Sequence, residues 1–320
     1  MALAELWFVL IAVLWIGFLV LEGFDFGVGV LHTVVGRDER ERSTALRAIG
    51  PFWDGNEVWL IVAGAGMFAA FPAWYATLFS GLYLALLLVL VALMARGASF
   101  EFGEKVTSPR WQRTWTWATT LGSGALPLLF GIGLGGMVAG FPIDADGEYT
   151  GGFVDIFTAY GVWTGLTLLS LSALHGATFL ALKTEGPVRE RSRSVGVRIW
   201  VATLVASIVF AAWKPSALSI LAAVAVLAAG ALLRAGREGW AFTATAAAMA
   251  ATLSSLFVDL FPNVLISSTD AAYNLTVSGA ASGSYALKVM TVAAAIFLPL
   301  VLLYQGWTYR VFRARVHDSA

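Results

Sequence analysis

The sequence predicts an all-α polytopic membrane protein with about nine transmembrane helices. Three observations support this fold class. The 320 residues are 59% hydrophobic and 12% charged, where a soluble domain carries about 25% charged residues. Apolar runs of spanning length, about 20 residues, recur along the whole chain. Basic residues gather at every second junction between those runs.

The runs lie near residues 5–34, 50–70, 73–97, 113–140, 157–182, 196–213, 217–234, 239–262 and 286–312. The first lacks a basic leader and an A-x-A cleavage site, so it reads as a retained span and not a signal peptide. Arg37, Arg40, Arg42 and Arg47 separate the first two runs, and Arg96, Lys105, Arg110 and Arg113 flank the junction of the third and fourth. Lys183, Arg189, Arg191, Arg193 and Arg198 separate the fifth and sixth, Arg234 and Arg237 the seventh and eighth, and Arg310, Arg313 and Arg315 follow the ninth. Near the alternate junctions only Lys214 and Lys288 occur, and the segment 141–156 carries Asp144, Asp146, Glu148 and Asp155. Positive charge stays on the cytoplasmic side. The N-terminus is therefore expected outside and the C-terminus cytoplasmic. No stretch is left for a soluble domain, so residues 1–320 read as a single integral membrane domain. The absence of cysteine excludes disulfides, thiolate metal sites and iron–sulfur clusters.

Four carboxyls interrupt this apolar pattern: Glu22 and Asp25 in LEGFDFGVG, and Asp54 and Glu57 in PFWDGNEVWL. A carboxylate at membrane depth costs several kcal/mol unless paired, solvated or protonated, so it marks a site or pathway by default. At the rise of an α-helix, Asp25 lies roughly 18 Å and Glu22 roughly 22 Å along the axis from Arg37. Asp54 and Glu57 lie about 10 and about 15 Å beyond Arg47. The four form a ladder of increasing depth. Glu22, Asp25, Gly29 and His32 share one helix face. Two readings are open: a path for protons or cations, or a buried polar cluster that fixes helix contacts or an interface to another subunit.

Other features read more plainly. Gly23 with Gly27, Gly131 with Gly135, and Gly136 with Gly140 have the G-x-x-x-G spacing of close helix contacts. Gly131–Gly136 also matches G-x-G-x-x-G, but it lies inside a span without a preceding strand, so the dinucleotide reading fails. Of the three histidines, His317 is in the tail, and His32 and His175 differ in depth. They argue against a haem or metal held by this chain alone; methionine ligation stays open. Trp7, Trp74, Trp163 and Trp307 suit interfacial anchors, whereas Trp53 and Trp59 flank the second acidic pair and are candidates to line a site. Asp259 and Lys288 read as a structural ion pair.

Several blocks together resemble subunit II of the cytochrome bd quinol oxidases: GFDFGVG, PFWDGNEVWL, LYLALLLVLVALMARGASFEF, HGATFLALKTEG and LKVMTVAAAIFLPLVLLYQGWTYRVF. The resemblance spans most of the chain in order. It implies two four-helix bundles plus a peripheral helix, in a haem-free subunit of a bacterial cytoplasmic-membrane complex that oxidises quinol and reduces dioxygen to water. Two haems b and a haem d would belong to subunit I. Small accessory transmembrane subunits, membrane lipid and a structural quinone are further possible partners; nucleic acid is not. The resemblance assigns Asp25 and Asp54 to the cytoplasmic proton path, with Glu101 in SFEF near its mouth. Glu22 keeps acidity at a family acidic position. Glu57 departs from the family pattern, where Gln can stand. The reading from another class is an independent proton- or cation-coupled secondary transporter.

Overall fold

A computed structural model describes residues 2–103, 105–106 and 108–316; His317 lies outside them. Among the described residues there are eleven α-helices. They are α1 (Leu3–Val35), α2 (Glu39–Arg47), α3 (Trp53–Ala70), α4 (Pro72–Gly81), α5 (Tyr83–Phe102), α6 (Pro109–Ala139), α7 (Ala159–Lys183), α8 (Gly186–Trp213), α9 (Ala217–Arg234), α10 (Glu238–Leu260) and α11 (Ser284–Val311). Eight of them are long and apolar enough to cross a membrane. The second expected span forms as α3, whose first turns hold Asp54, Asn56 and Glu57 and so fall short of that apolarity. The third is divided. Pro72 opens α4, and a residue before proline is disfavoured in the helical region, so Phe71 leaves it (φ −137°, ψ 68°). Leu82 then separates α4 from α5.

Helix α2 is polar and was not expected as a helix. Asp38 caps it by accepting the Glu41 amide at 2.9 Å, and the Glu41 carboxylate reaches back to the Arg37 amide at 2.7 Å. This reciprocal arrangement satisfies two donors at the helix start. Arg191 of α8 also pairs with Glu41. Together these hold the Glu41 carboxyl down to about 2.

Helix α1 is the axis of the fold, packing against α3, α6, α7 and α10. Its contact with α7 depends on glycine: a Cβ on Gly27 would stand 1.9 Å from the Ser172 carbonyl oxygen, beside the Gly176 backbone. Helix α6 meets α7 in the same way, with Gly131 against Gly165. Helices α7, α8, α9 and α10 pack in sequence, and α10 returns to α7. Helix α11 stands apart, touching α1 and α3, with Leu287 its one buried residue.

The segments after α6 and α10 fold together at one end. The Phe141 amide bonds Ile266 O at 3.0 Å, and the Ser268 amide returns to Phe141 O at 2.8 Å. Strands β1 (Asn263–Leu265) and β2 (Leu275–Thr276) pair antiparallel beside them. At the opposite end, Lys183 Nζ donates to the carbonyls of Phe312 and Ala314, and Arg189 pairs with Glu238 at 2.8 Å.

Two tests follow from these contacts. Gly27→Ala is expected to lower stability by about 1–3 kcal/mol through overpacking. Gly124→Ala, whose Cβ meets only Val30 at 3.6 Å, is expected to leave the thermal midpoint of the purified protein unchanged. Because Glu41 is held below its ordinary value, its stabilisation is complete above the unfolded value of about 4.3 and lost as pH falls towards about 2. Hydrogen exchange should show α2 loosening over that window, and Glu41→Gln should remove the pH dependence.

Candidate functional site

The acidic face of α1 opposes the glycine face that admits α7. Glu22 and Asp25, one turn apart, are both fully buried. A buried carboxylate without a partner costs several kcal/mol, and the partner comes from α5. Arg96 is also fully buried; its Nη1 lies 2.6 Å from Glu22 Oε1 and 2.5 Å from Glu57 Oε1. The guanidinium sits 5.1 Å from the ring centroids of both Phe26 and Phe100. Aromatic faces attract a desolvated cation, so the rings hold Arg96 where its two carboxylates converge. Contact with Glu22 is ionic and not an aligned hydrogen bond, whereas that with Glu57 is a hydrogen bond.

Asp25 takes a different partner. Asn56 of α3 donates from Nδ2 to Asp25 Oδ2 at 2.7 Å and to the Leu21 carbonyl at 3.2 Å. Its Oδ1 accepts from Gln305 Nε2 at 2.9 Å and the Tyr309 hydroxyl at 3.3 Å, both on α11. Four helices thus supply one polar network: α1 and α3 bring the acids, α5 the cation and α11 the outer donors.

Glu22, Asp25 and Glu57 come together. Asp54 does not join them: it is exposed on the first turn of α3, where the helix N-terminus favours negative charge. Glu101 is exposed in the last turn of α5 and lines a cleft of about 300 Å³ with His32, Trp53, Ser99 and Thr119. The floor of this cleft reaches the cluster's own helix turn, since the Ser99 hydroxyl donates to Arg96 O at 2.6 Å. Trp53 therefore lines the cleft, with its ring 5.0 Å from that of Phe100. Trp59 is buried against α1, where a Cβ on Gly17 would meet its ring at 2.7 Å.

The central group, Arg96, was read from sequence only as a marker of a basic junction. The available signal was charge balance, because several carboxyls in one apolar region call for a cation and Arg96 stands at the end of the third run. Asn56, Gln305 and Tyr309 carried no such signal. The expected Asp259–Lys288 pair does not form: Lys288 is exposed, and the cation acting on Asp259 is Lys214, which follows α8 and lies over the Tyr160 ring at 5.5 Å. His32 Nδ1 bonds Gly29 O at 2.7 Å, and His175 Nδ1 bonds Thr245 Oγ1 at 2.7 Å with its ring stacked on Phe242.

Apolar helices of spanning length around a charged interior define an integral membrane protein with a polar network at its centre. Residues 3–312 match the family described as cytochrome bd terminal oxidase subunit II. The chain is 41% identical to cytochrome bd ubiquinol oxidase subunit 2 of Bacillus subtilis (strain 168), over 98% of this chain and 97% of that relative. It is 32% identical to cytochrome bd-I ubiquinol oxidase subunit 2 of Escherichia coli (strain K12), over 95% and 92%. Its fold is similar to that of a chain in the structure of bd oxidase from Geobacillus thermodenitrificans, with a TM-score of 0.75 at 18% identity, covering 98% and 99% of the two chains. The protein therefore belongs to the cytochrome bd terminal oxidase subunit II family: a multi-pass protein of the bacterial cytoplasmic membrane and one subunit of a respiratory oxidoreductase.

Removing Arg96 strands Glu22 in an apolar interior. Arg96→Met is expected to destabilise the subunit by about 3–5 kcal/mol, and adding Glu22→Gln should recover part of that loss. Thermal denaturation of the single and double variants measures this; equal midpoints would show that Glu22 does not depend on Arg96.

Proposed function

We propose that this chain is the haem-free subunit of a quinol:dioxygen oxidoreductase and supplies part of its cytoplasmic proton path. Its partner would be subunit I, holding two haems b and haem d, with small accessory subunits, lipid or a structural quinone as further companions. In the membrane, α1, α3, α5 and α6 form one four-helix bundle, α7 to α10 a second, and α11 the peripheral helix. That gives nine spans, with α3 the ninth, an outside N-terminus and a cytoplasmic C-terminus, in a single domain over 1–320. The clustering of Arg189, Arg191 and Lys183 with the end of α11 and with α2 supports this orientation.

The observation that carries the reading is a buried acid cluster one helix turn from an open cleft. Glu101 stands at the cleft and Asp54 on an adjacent exposed turn, and both suit proton collection. Glu57, partly exposed, bridges from that side to Arg96, and beyond it lie Glu22 and Asp25. The haems of subunit I would supply electron transfer to dioxygen. This chain's carboxyls would deliver the protons consumed there. A free-standing transporter would not account for membership of an oxidase subunit family.

Asp25→Asn is expected to lower quinol oxidase turnover about a hundredfold or more, within the range for lost acid–base groups, while haem content stays complete. Asp54→Asn should cost less, because an exposed group at the mouth has neighbours that substitute for it. Glu57→Gln should be tolerated, since relatives can carry Gln there. Oxygen consumption per haem d measures all three. Fully assembled Asp25→Asn and Asp54→Asn complexes with normal turnover would refute the proton path.

A further inference from the structure

Helix α11 presents a puzzle. It buries almost nothing, yet Gln305 and Tyr309 turn inward from it, four residues apart on one face. A glutamine amide in an apolar span is costly unless its hydrogen bonds are made. Gln305 and Tyr309 both donate to Asn56 Oδ1, at 2.9 and 3.3 Å.

The opposite end of Asn56 is constrained as well. The Leu21 carbonyl can only accept, so the Asn56 Nδ2 that faces it at 3.2 Å is a donor, and its second hydrogen points at Asp25 Oδ2, 2.7 Å away. A flipped amide would set its oxygen against two acceptors and its nitrogen against the Gln305 amide donor. The Leu21 carbonyl and Asp25 therefore set the orientation of Asn56, and the two α11 donors match it. Asp25 Oδ2 is committed as an acceptor. The buried Oδ1, to which no N–H of the described residues donates, is the oxygen left to take a proton, with the Glu22 carboxyl as the other hydrogen-bonding neighbour of Asp25.

We propose that Gln305 and Tyr309 are positioning residues for Asp25: acting through Asn56, they fix which carboxylate oxygen carries the proton. The proposal rests on the proton-path reading above. The one bond that forms and breaks is O–H: the proton arrives at Oδ1 and leaves from Oδ1 while Asn56 holds Oδ2. The other ionisable groups around Asp25 are Glu22 on its own helix, Glu57 from α3, Arg96 from α5 and Tyr309 from α11. On α7, His175 is engaged with Thr245 instead. Without the α11 donors, Asn56 Oδ1 loses both partners, and the amide is held only by the Leu21 carbonyl and Asp25 Oδ2.

The test uses the assembled oxidase carrying Gln305→Leu with Tyr309→Phe, Tyr309→Phe alone, and Asn56→Leu, with haem content matched to the unmodified complex. Turnover is recorded against pH. The double variant is expected to lose kcat about threefold or more at unchanged quinol KM. Its pH profile should shift by about half a pH unit or more, the size one lost neutral hydrogen bond produces, in the same direction as Asn56→Leu. Tyr309→Phe keeps the ring stacked on Phe52 at 4.7 Å and should show a smaller shift, so a failure of the double variant to assemble does not end the test. A pH profile that superimposes on the unmodified enzyme's overturns the proposal. Asp25→Asn, run alongside, separates the two levels. Slow Asp25→Asn with unshifted α11 variants rejects the positioning role alone; normal turnover in Asp25→Asn rejects the proton path and the positioning role with it.

Discussion

One guanidinium makes the interior of this protein possible. Glu22 on α1 and Glu57 on α3 converge on Arg96 of α5. Without that cation, Glu22 would stand fully buried, and Glu57 partly buried beside it, with nothing to offset their desolvation. Burying an ion pair rarely stabilises a fold more than apolar side chains of the same volume, whereas leaving one charge unpaired is severely destabilising. The triad is therefore poor economy as a structural device alone. Its presence fits a subunit whose task requires titratable groups at membrane depth.

The same helix solves two unlike problems. On one side, Gly27 lets α7 approach until backbone meets backbone, and Gly23 makes room for the Met249 side chain of α10. On the other, Glu22 and Asp25 face α3 and α5. Close glycine contact fixes the axial position and rotation of α1, and so sets where its carboxyls stand. A shift of one residue would turn the acids by about 100°, away from Arg96 and Asn56. Helix packing and site geometry are in this sense a single constraint.

Much of this was legible in the residues. Eight helices arise where apolar length and the charge of the junctions place spans, and the acids drew attention because their cost in lipid is large. What stayed hidden has physical causes. Helix α2 is short and polar, so it lacks an apolar period and forms through its Asp38–Glu41 cap. The third run looked continuous because hydropathy does not register the backbone restriction at Pro72 or the break at Leu82. Arg96 was misfiled because an arginine near the end of a run looks like a flank until its depth against neighbouring helices is known. Asn56, Gln305 and Tyr309 are ordinary in sequence; the hydrogen bond from Gln305 to Asn56 crosses 249 residues and exists only once α11 folds back on α3. Conversely, Asp54 and Glu101 were recognisable as acids, but their exposure separates them from the buried set.

The account stands or falls on continuity between the Glu101 cleft and Asp25. The most direct measurement is a structure of the assembled oxidase at a resolution that places ordered water. The account predicts waters hydrogen-bonded in a chain from the cleft, past Glu57 and Arg96, to Asp25 Oδ1. Apolar side chains closing that interval, with Asp25 sealed from any water on the cytoplasmic side, would contradict it.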